Sequence, residues 1–420
     1  MKNRQLGQTG KMVSPLGFGA MRLPKDRKES ERLLNFAFEQ GINYFDTAPD
    51  YMSGMSEELL GSVFKHRRDK VFLASKNPVK DASGKTWRKE LEKSLKKMQT
   101  DYLDFYYMWS IDLEAYEKKV ALGPLEAAVK AKEEGLIRHI CFSVHDIREN
   151  VKQILDAGVF EVMLCQYNLL DRELESMLAY AKKLGVGTAI MGPVGGGRLG
   201  APSPVLQNLL TRPFASSAEA ALRFVFANPD VDLVLSGMGN EQMVRENIAT
   251  ASLEQPLTGE EKERLKLILE EKQRLAYLYC TGCAYCLPCP AEVNIPEIFT
   301  YFNHSAVYGL LDFAKNEYQR LGTPGHWIEG NSAKACLECG HCESKCPQKI
   351  PIISRLKEID RVLSQKPDQF IEIDWYPRGS LLLFVVKYDR MSLKSVGLKI
   401  CNKGVINNGG RKKGYFGSGC

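Results

Sequence analysis

Long hydrophobic runs are missing from this chain of 420 residues. No apolar stretch approaches the roughly 20 residues that a helix needs to cross a bilayer. The beginning of the sequence also lacks the apolar core of a signal peptide. These absences predict a cytoplasmic protein without a membrane span.

Most of the chain also has little excess charge. The formal net charge is +6, but the segment after Tyr376 carries nine Lys and Arg against one acid, Asp389, and so accounts for +8. The rest of the chain is then at about −2 (+6 less +8). A body without a basic field is not expected to bind nucleic acid. The basic excess predicts a tail of uncertain order over 366–420.

Short apolar runs alternate with amphipathic stretches between residues 13 and 250. Eight such runs, each followed by a helical pattern, are typical of strands buried on both faces and predict a (β/α)8 TIM barrel over 1–255. A doubly wound sheet is the alternative. It fits less well because no Gly-x-Gly-x-x-Gly turn follows the first strand. A charged helical stretch predicts a linker over 256–279.

Cysteine, in contrast, is abundant, and eight of the twelve cysteines form two runs, "CTGCAYCLPCP" from Cys280 and "CLECGHCESKCP" from Cys336. In a reducing compartment such clusters predict metal ligands rather than disulfides. Three thiolates at this spacing suit one face of an iron–sulfur cube. The cysteine before proline in each run is then expected to serve the other cluster.

Two 4Fe–4S clusters are therefore predicted. The ligands of one are Cys280, Cys283, Cys286 and Cys346, and those of the other are Cys336, Cys339, Cys342 and Cys289. The first run has one residue fewer before its Cys-Pro, which weakens the assignment of its fourth ligand. Structural zinc is the alternative, but zinc sites use pairs of Cys-x2-Cys. With the helical patterns between the runs, residues 280–365 resemble the α-helical ferredoxin module.

Polar side chains stand at the ends of the second and third predicted strands, where a barrel carries its chemistry. Asp46 ends the second, Lys76 ends the third, and Tyr51 follows Asp46 in the next loop. Lys and Asp are rarely buried unless paired, so we expect an ion pair. A lysine near Tyr51 is expected to lower its pKa from about 10 and make it a proton donor. Singly, Asp46 could be a helix cap and Lys76 a solvated strand end.

The segments "GFGAMRLP", "FDTAPDYMSGMSEELLG", "CQYNLLDRE" and "LSGMGNEQMVREN" resemble, in order, the aldo/keto reductases. The resemblance covers about 5–255. It extends to about residue 365 for those members that carry a C-terminal ferredoxin-type domain. It implies hydride transfer from a nicotinamide cofactor to a carbonyl of a small-molecule substrate, with Tyr51 as acid and Asp46 and Lys76 tuning it. The implied cofactor contacts are Ser143, Gln166, Gly237, Asn240 and Asn247.

Two positions depart from that family. Trp109 stands where the family has a catalytic histidine; an indole donates one hydrogen bond and cannot relay a proton. His145 lies past the fifth strand and is interpreted as structural or substrate-facing. Near the last strand, Gly237 and Met243 replace the basic residues that hold a 2′-phosphate in many relatives, and Arg245 is two positions off. NADP and NAD therefore both stay open.

These features predict an oxidoreductase that reduces a carbonyl or related substrate with NAD(P)H and is coupled to two 4Fe–4S clusters. A nicotinamide transfers a hydride and a cluster one electron, so direct coupling requires a mediator. A bound flavin, a substrate that accepts single electrons, or clusters that serve a redox partner protein are the alternatives. A further alternative is an iron–sulfur electron-transfer protein whose barrel is a non-catalytic scaffold or binds a flavin.

Overall fold

The structure, a computed structural model, describes residues 1–200, 214, 216–277, 280, 284–324, 328–346, 349–365, 372–376 and 383–387. The chain divides into two compact units, Met1–Ser364 and Gln365–Cys420. The predicted ligand Cys283 and most of the predicted tail over 366–420 lie outside the described residues.

An antiparallel ribbon of β1 (Arg4–Gln5) and β2 (Met12–Val13) precedes a closed barrel of parallel strands. The barrel strands are β3 (Leu16–Gly19), β4 (Tyr44–Asp46), β5 (Phe72–Asn77), β6 (Leu103–Ile111), β7 (Ile137–Val144), β8 (Val162–Gln166), β9 (Gly187–Met191) and β10 (Leu233–Ser236). Because β10 pairs with both β9 and β3, the sheet has no free edge. The predicted (β/α)8 barrel is confirmed, and a doubly wound sheet is excluded.

Helices connect successive barrel strands and cover the outside of the barrel. They are α1 (Arg27–Glu39), α2 (Met55–Phe64), α3 (Gly84–Lys97), α4 (Leu113–Lys118), α5 (Pro124–Glu133), α6 (Arg148–Asp156), α7 (Glu175–Lys183), α8 (Ser217–Phe226) and α9 (Glu241–Ala251). Local sequence sets their ends: the Ser83 side chain caps α3 by accepting a hydrogen bond from the amide of Thr86. The last turn of α3 carries Lys96 and Lys97, whose positive charges interact favourably with the negative end of the helix dipole.

The inside of the barrel is filled by buried side chains from alternate strand positions. Tyr44, Phe105, Tyr107 and Leu164 belong to this inner cluster, and the hydroxyls of Tyr44 and Tyr107 are 2.8 Å apart. A larger apolar layer lies between the strands and the helices. A packed interior leaves the chemistry to the rim formed by the strand ends.

The part that follows the barrel is mainly helical, as predicted. It contains α10 (Gly259–Tyr277), α11 (Ile295–Tyr308), α12 (Leu311–Arg320), α13 (His341–Lys345) and α14 (Ile352–Leu363). The hydroxyl of Tyr318 donates to Asp360 across 2.7 Å and joins α12 to α14. Lys272 donates to the carbonyl of Val307 across 3.0 Å and joins α10 to α11.

The second unit contains an antiparallel pair of strands, β11 (Glu372–Tyr376) and β12 (Leu383–Lys387). The sequence predicted only a segment of uncertain order here, because one short apolar run without clear alternation does not indicate a strand. In the described parts of both units, none of the helices is long and apolar enough to cross a membrane.

Candidate functional site

The predicted Asp46–Lys76 pair is formed at the carboxyl ends of β4 and β5. Lys76 Nζ lies 2.6 Å from Asp46 Oδ1 and 2.6 Å from the carbonyl oxygen of Thr47. Asp46 is 4% exposed and Lys76 is 1% exposed, so both charges are buried and each compensates the other. The alternatives of a helix cap and a solvated strand end are therefore wrong.

Tyr51 completes this group from the loop after β4. Lys76 Nζ lies 4.8 Å from the centre of the Tyr51 ring, so the two side chains interact electrostatically. Burial alone would lower the pKa of Lys76, but the Asp46 carboxylate and Tyr51 raise it above its usual value. Lys76 therefore stays charged beside the phenol. Asp46 Oδ2 is buried and has no hydrogen-bond partner among the described residues.

The expected lowering of the Tyr51 pKa is wrong in its net direction. Burial raises the pKa of Tyr51, and this effect exceeds the lowering by Lys76. Asp46 raises the Tyr51 pKa as well, because a nearby carboxylate disfavours a phenolate. The sequence shows that a lysine is near, but not how strongly the fold removes water from the Tyr51 hydroxyl. A raised pKa keeps Tyr51 protonated at neutral pH, which suits a proton donor.

Trp109 faces the same group from β6. Its ring meets the ring of Tyr51 edge-on, with centroids 5.9 Å apart and planes at 88°. The strand is irregular here: Ser110 has φ +53°, and the pairing with β7 shifts register between Met108 and Ile111. This irregularity brings the indole to the mouth of the barrel, where the sequence predicted it.

The predicted nicotinamide contacts Ser143 and Gln166 lie at the carboxyl ends of β7 and β8. Ser143 Oγ accepts from the amide of Ser110 across 2.7 Å, which leaves its hydroxyl hydrogen to donate. Gln166 Nε2 donates to Asp171 Oδ2 across 2.7 Å. A carboxylate only accepts, so the free group of Gln166 is its carbonyl oxygen. His145 follows β7 with an exposed side chain.

The other predicted cofactor contacts lie at the carboxyl end of β10. Gly237 directly follows this strand, Asn240 caps α9 by accepting from the amide of Met243 across 2.9 Å, and Asn247 Nδ2 donates to Ser236 Oγ across 3.0 Å. The amino end of a helix attracts phosphate. Together with Ser143 and Gln166, these amide, hydroxyl and helix-end groups fit a nicotinamide dinucleotide.

Arg245 has partners of its own. Its guanidinium stacks on the ring of Phe36 at 4.4 Å and lies 3.6 Å from Glu241. From the sequence, Arg245 was a candidate to bind a 2′-phosphate. Its guanidinium is engaged by these two contacts.

Sequence reasoning missed the contacts that join neighbouring loops of the mouth. Arg22, after β3, donates to the carbonyl of Gly196 in the glycine-rich turn Gly195–Gly200 that follows β9. Asn168 Nδ2 donates to the carbonyl of Gly192 across 2.9 Å. The run of glycines indicated a loop at this position. The residues that contact it are distant in sequence and could not be predicted.

Cysteines of both runs line one cavity in the C-terminal part. The cysteines that line it are Cys286, Cys289, Cys336, Cys339 and Cys342. Cys286 and Cys289 of the first run thus both lie with the triplet of the second run, whereas the predicted cross-ligation assigns only Cys289 to that triplet. The apolar residues Val293 and Leu356 complete the wall. Soft thiolates in an apolar wall fit an iron–sulfur cluster.

Cys280 and Cys346 are not among the residues that line this cavity. Cys280 is half-buried, and its carbonyl accepts from Asn303 Nδ2 across 3.5 Å; Cys346 ends α13. Within the described ranges, no three His, Cys, Asp or Glu side chains converge as the ligands of one metal ion do.

Comparison with known families identifies both parts of the chain. Residues 15–270 match the model of the aldo/keto reductase family. The chain belongs to this family. Residues 279–350 match the model of the 4Fe-4S dicluster domain. This aldo/keto reductase is therefore an oxidoreductase that carries an iron–sulfur domain behind its barrel.

Three relatives are similar to part of this chain. An uncharacterised oxidoreductase of Bacillus subtilis and the L-galactose dehydrogenase of Arabidopsis thaliana are each 30% identical, over 63% and 65% of this chain and 96% of their own length. The holo form of an aldo-keto reductase from Bacillus halodurans is 29% identical with a TM-score of 0.57, over 64% of this chain and 96% of that one. More than a third of this chain has no counterpart in these three proteins.

Proposed function

We propose that the barrel reduces a carbonyl group of a small molecule with NADH or NADPH, and that the C-terminal domain holds two 4Fe–4S clusters. The observation that carries the proposal is the buried ion pair of Lys76 and Asp46, 2.6 Å apart, with Lys76 Nζ 4.8 Å from the centre of the Tyr51 ring. A buried, charged lysine next to a phenol is costly to maintain and has a direct use in proton transfer.

The nicotinamide supplies a hydride when it is bound; the residues of the chain supply the proton and the geometry. Tyr51 donates a hydrogen bond to the carbonyl oxygen of the substrate and gives up its proton as negative charge grows there. Lys76 stabilises the phenolate that remains, and Asp46 keeps Lys76 charged. Trp109 forms the wall beside the carbonyl and offers one indole N–H.

The dinucleotide lies across the mouth in this proposal. Ser143 and Gln166 hold the carboxamide, and Gly237, Asn240 and Asn247 hold the end at β10 and α9. Because Arg245 is engaged by Phe36 and Glu241, both NADH and NADPH are candidates.

In the C-terminal domain, Cys336, Cys339, Cys342 and Cys289 hold one cluster in this proposal. The other cluster uses Cys280, Cys283, Cys286 and Cys346. The cavity that Cys289 shares with the second triplet supports the assignment of Cys289 to the first of these clusters. A cluster transfers one electron and a nicotinamide transfers a hydride, so electron exchange between them needs a mediator. The proposal therefore includes either a flavin bound in the barrel or a redox partner protein at the C-terminal domain. The cytoplasmic location stays a prediction.

The first test is anaerobic purification with quantitation of iron and sulfide, followed by titration with NADH and with NADPH. We expect about eight irons per chain, binding of at least one nucleotide, and reduction of 4-nitrobenzaldehyde as a carbonyl probe. Tyr51→Phe is expected to keep nucleotide binding and to lose turnover. Tyr180→Phe, on the outer helix α7, is the matched control.

The second candidate is an iron–sulfur electron-transfer protein with a scaffold or flavin-binding barrel. The edge-on contact of Trp109 with Tyr51 favours it, because an indole fills the place beside the proton donor. It predicts no binding of either nicotinamide nucleotide. That result would overturn the carbonyl-reductase proposal, whereas bleaching of the clusters by NADPH or NADH would show that the two parts exchange electrons.

A further inference from the structure

The segment after Tyr51 has an unusual backbone. Met52, Ser53 and Gly54 have φ of +53°, +57° and +89°. Side chains with a Cβ disfavour this left-handed region, so Met52 and Ser53 are strained. Such strain persists only where surrounding contacts impose it. The contacts that hold this segment therefore also set the position of Tyr51.

Lys97, in the last turn of α3, reaches across to this segment. Its Nζ lies 3.4 Å from the carbonyl oxygen of Pro49, before Tyr51. A Cβ on Gly54, after Tyr51, would lie 3.1 Å from the same Nζ, so the ammonium group packs against the glycine. Lys97 thus contacts the chain on both sides of the proton donor.

Glu57 connects Lys97 to the strand that carries Lys76. It is 0% exposed, and its Oε1 accepts from Ser75 Oγ across 2.7 Å. Its Oε2 has no hydrogen-bond partner among the described residues and lies 3.6 Å from Lys97 Nζ. A fully buried carboxylate requires a compensating cation, and Lys97 is its ion-pair partner. Ser75 directly precedes Lys76, so one carboxylate contacts both halves of the site.

We infer that Lys97 and Glu57 are positioning residues for the proton donor. They join the strained segment of Tyr51 to strand β5, and so hold the Tyr51 hydroxyl at Lys76. This inference deepens the proposed reduction and rests on it for its catalytic meaning. The structural part, that Lys97 fixes Tyr51, is independent of any reaction.

The structural part is tested with 3-fluorotyrosine placed at position 51 of the full chain and observed by fluorine NMR. The unmodified background is expected to give one narrow resonance, and Lys97→Met a shifted or broadened one. Lys97→Arg restores the cation and is expected to restore the resonance. Lys96→Met, an exposed neighbour in the same helix turn, is the matched control.

The catalytic part is tested with the unlabelled variants and 4-nitrobenzaldehyde. A misplaced catalytic group lowers the rate of the chemical step more than substrate binding, so Lys97→Met is expected to reduce kcat roughly tenfold or more with KM within about twofold. Lys97→Arg is expected to recover most of kcat.

Each outcome has a distinct meaning. An unchanged fluorine resonance in Lys97→Met overturns the inference. If the Lys97 variants show the expected resonance changes but the wild-type protein reduces no carbonyl, the proposed function is overturned and the positioning role stands. If Lys97→Met does not fold because Glu57 is left buried and unpaired, the double variant Lys97→Met with Glu57→Gln removes that charge. It is expected to show the same displaced resonance, and an unchanged one there contradicts the inference.

Discussion

Replacing Lys76 with methionine tests the buried ion pair of the site. Methionine keeps most of the side-chain length and removes the charge, which leaves Asp46 buried at 4% exposure without its partner at 2.6 Å. Breaking a buried pair by removing one member costs about 3–5 kcal/mol. We therefore expect the free energy of unfolding to fall by about 3–5 kcal/mol at neutral pH.

The loss of unfolding free energy in Lys76→Met is expected to depend on pH. In the native protein, burial raises the pKa of Asp46 and Lys76 lowers it. Without Lys76 the pKa of folded Asp46 rises further above its unfolded value of about 3.9. The neutral carboxyl then stabilises the folded state fully below about pH 3.9, and this stability is lost as the pH rises through the folded pKa. The deficit of the variant therefore grows with pH across that window.

Urea unfolding under anaerobic conditions, followed by circular dichroism at several pH values, measures this deficit. The double variant Asp46→Asn with Lys76→Met replaces both charges and is expected to recover most of the stability, because neutral replacements of a buried pair are often tolerated. A Lys76→Met variant that loses less than about 1 kcal/mol at every pH would refute the reasoning. That value is typical of a solvated pair.

Three further predictions concern the mouth and the clusters. Trp109→His adds a titratable group and is expected to make the rate of 4-nitrobenzaldehyde reduction change near about pH 6.5; a pH profile identical to that of Trp109→Phe would contradict it. Asp171→Asn lets the side-chain amide of Gln166 rotate by 180° and is expected to weaken nucleotide binding about fivefold in a fluorescence titration. Glu173→Gln is expected to leave nucleotide binding unchanged. Cys289→Ser is expected to lose about four irons per chain, and a full iron content, like that of Cys165→Ser, would exclude Cys289 as a ligand.

The barrel could be predicted from the sequence because its signal is local. Each of the eight apolar runs overlaps a barrel strand, and the helical patterns fall between them. The two cysteine runs were equally informative, since ligand spacing is a property of adjacent residues. The strands Glu372–Tyr376 and Leu383–Lys387 were missed because their pairing joins residues without a clear alternating pattern.

The site was predicted in composition but not in detail. Asp46, Lys76 and Tyr51 were found because the ends of parallel strands meet at one rim, and Trp109 was found through the family resemblance. Lys97 and Asp171 were not found, because each acts on another residue through a contact that the fold creates. The net direction of the Tyr51 pKa was also missed, since it depends on how much water the surrounding atoms exclude.

By itself, the sequence determined which groups this protein possesses: a ring of eight strands, a lysine, an aspartate and a tyrosine at strand ends, and two sets of thiols. The tertiary structure decided how those groups act on one another. It buries Lys76 against Asp46, holds Tyr51 in a strained segment beside Lys97 and Glu57, and brings Cys289 to the other cysteine run. Spacing along a chain specifies chemistry between neighbours, whereas desolvation and orientation arise only when distant segments pack together.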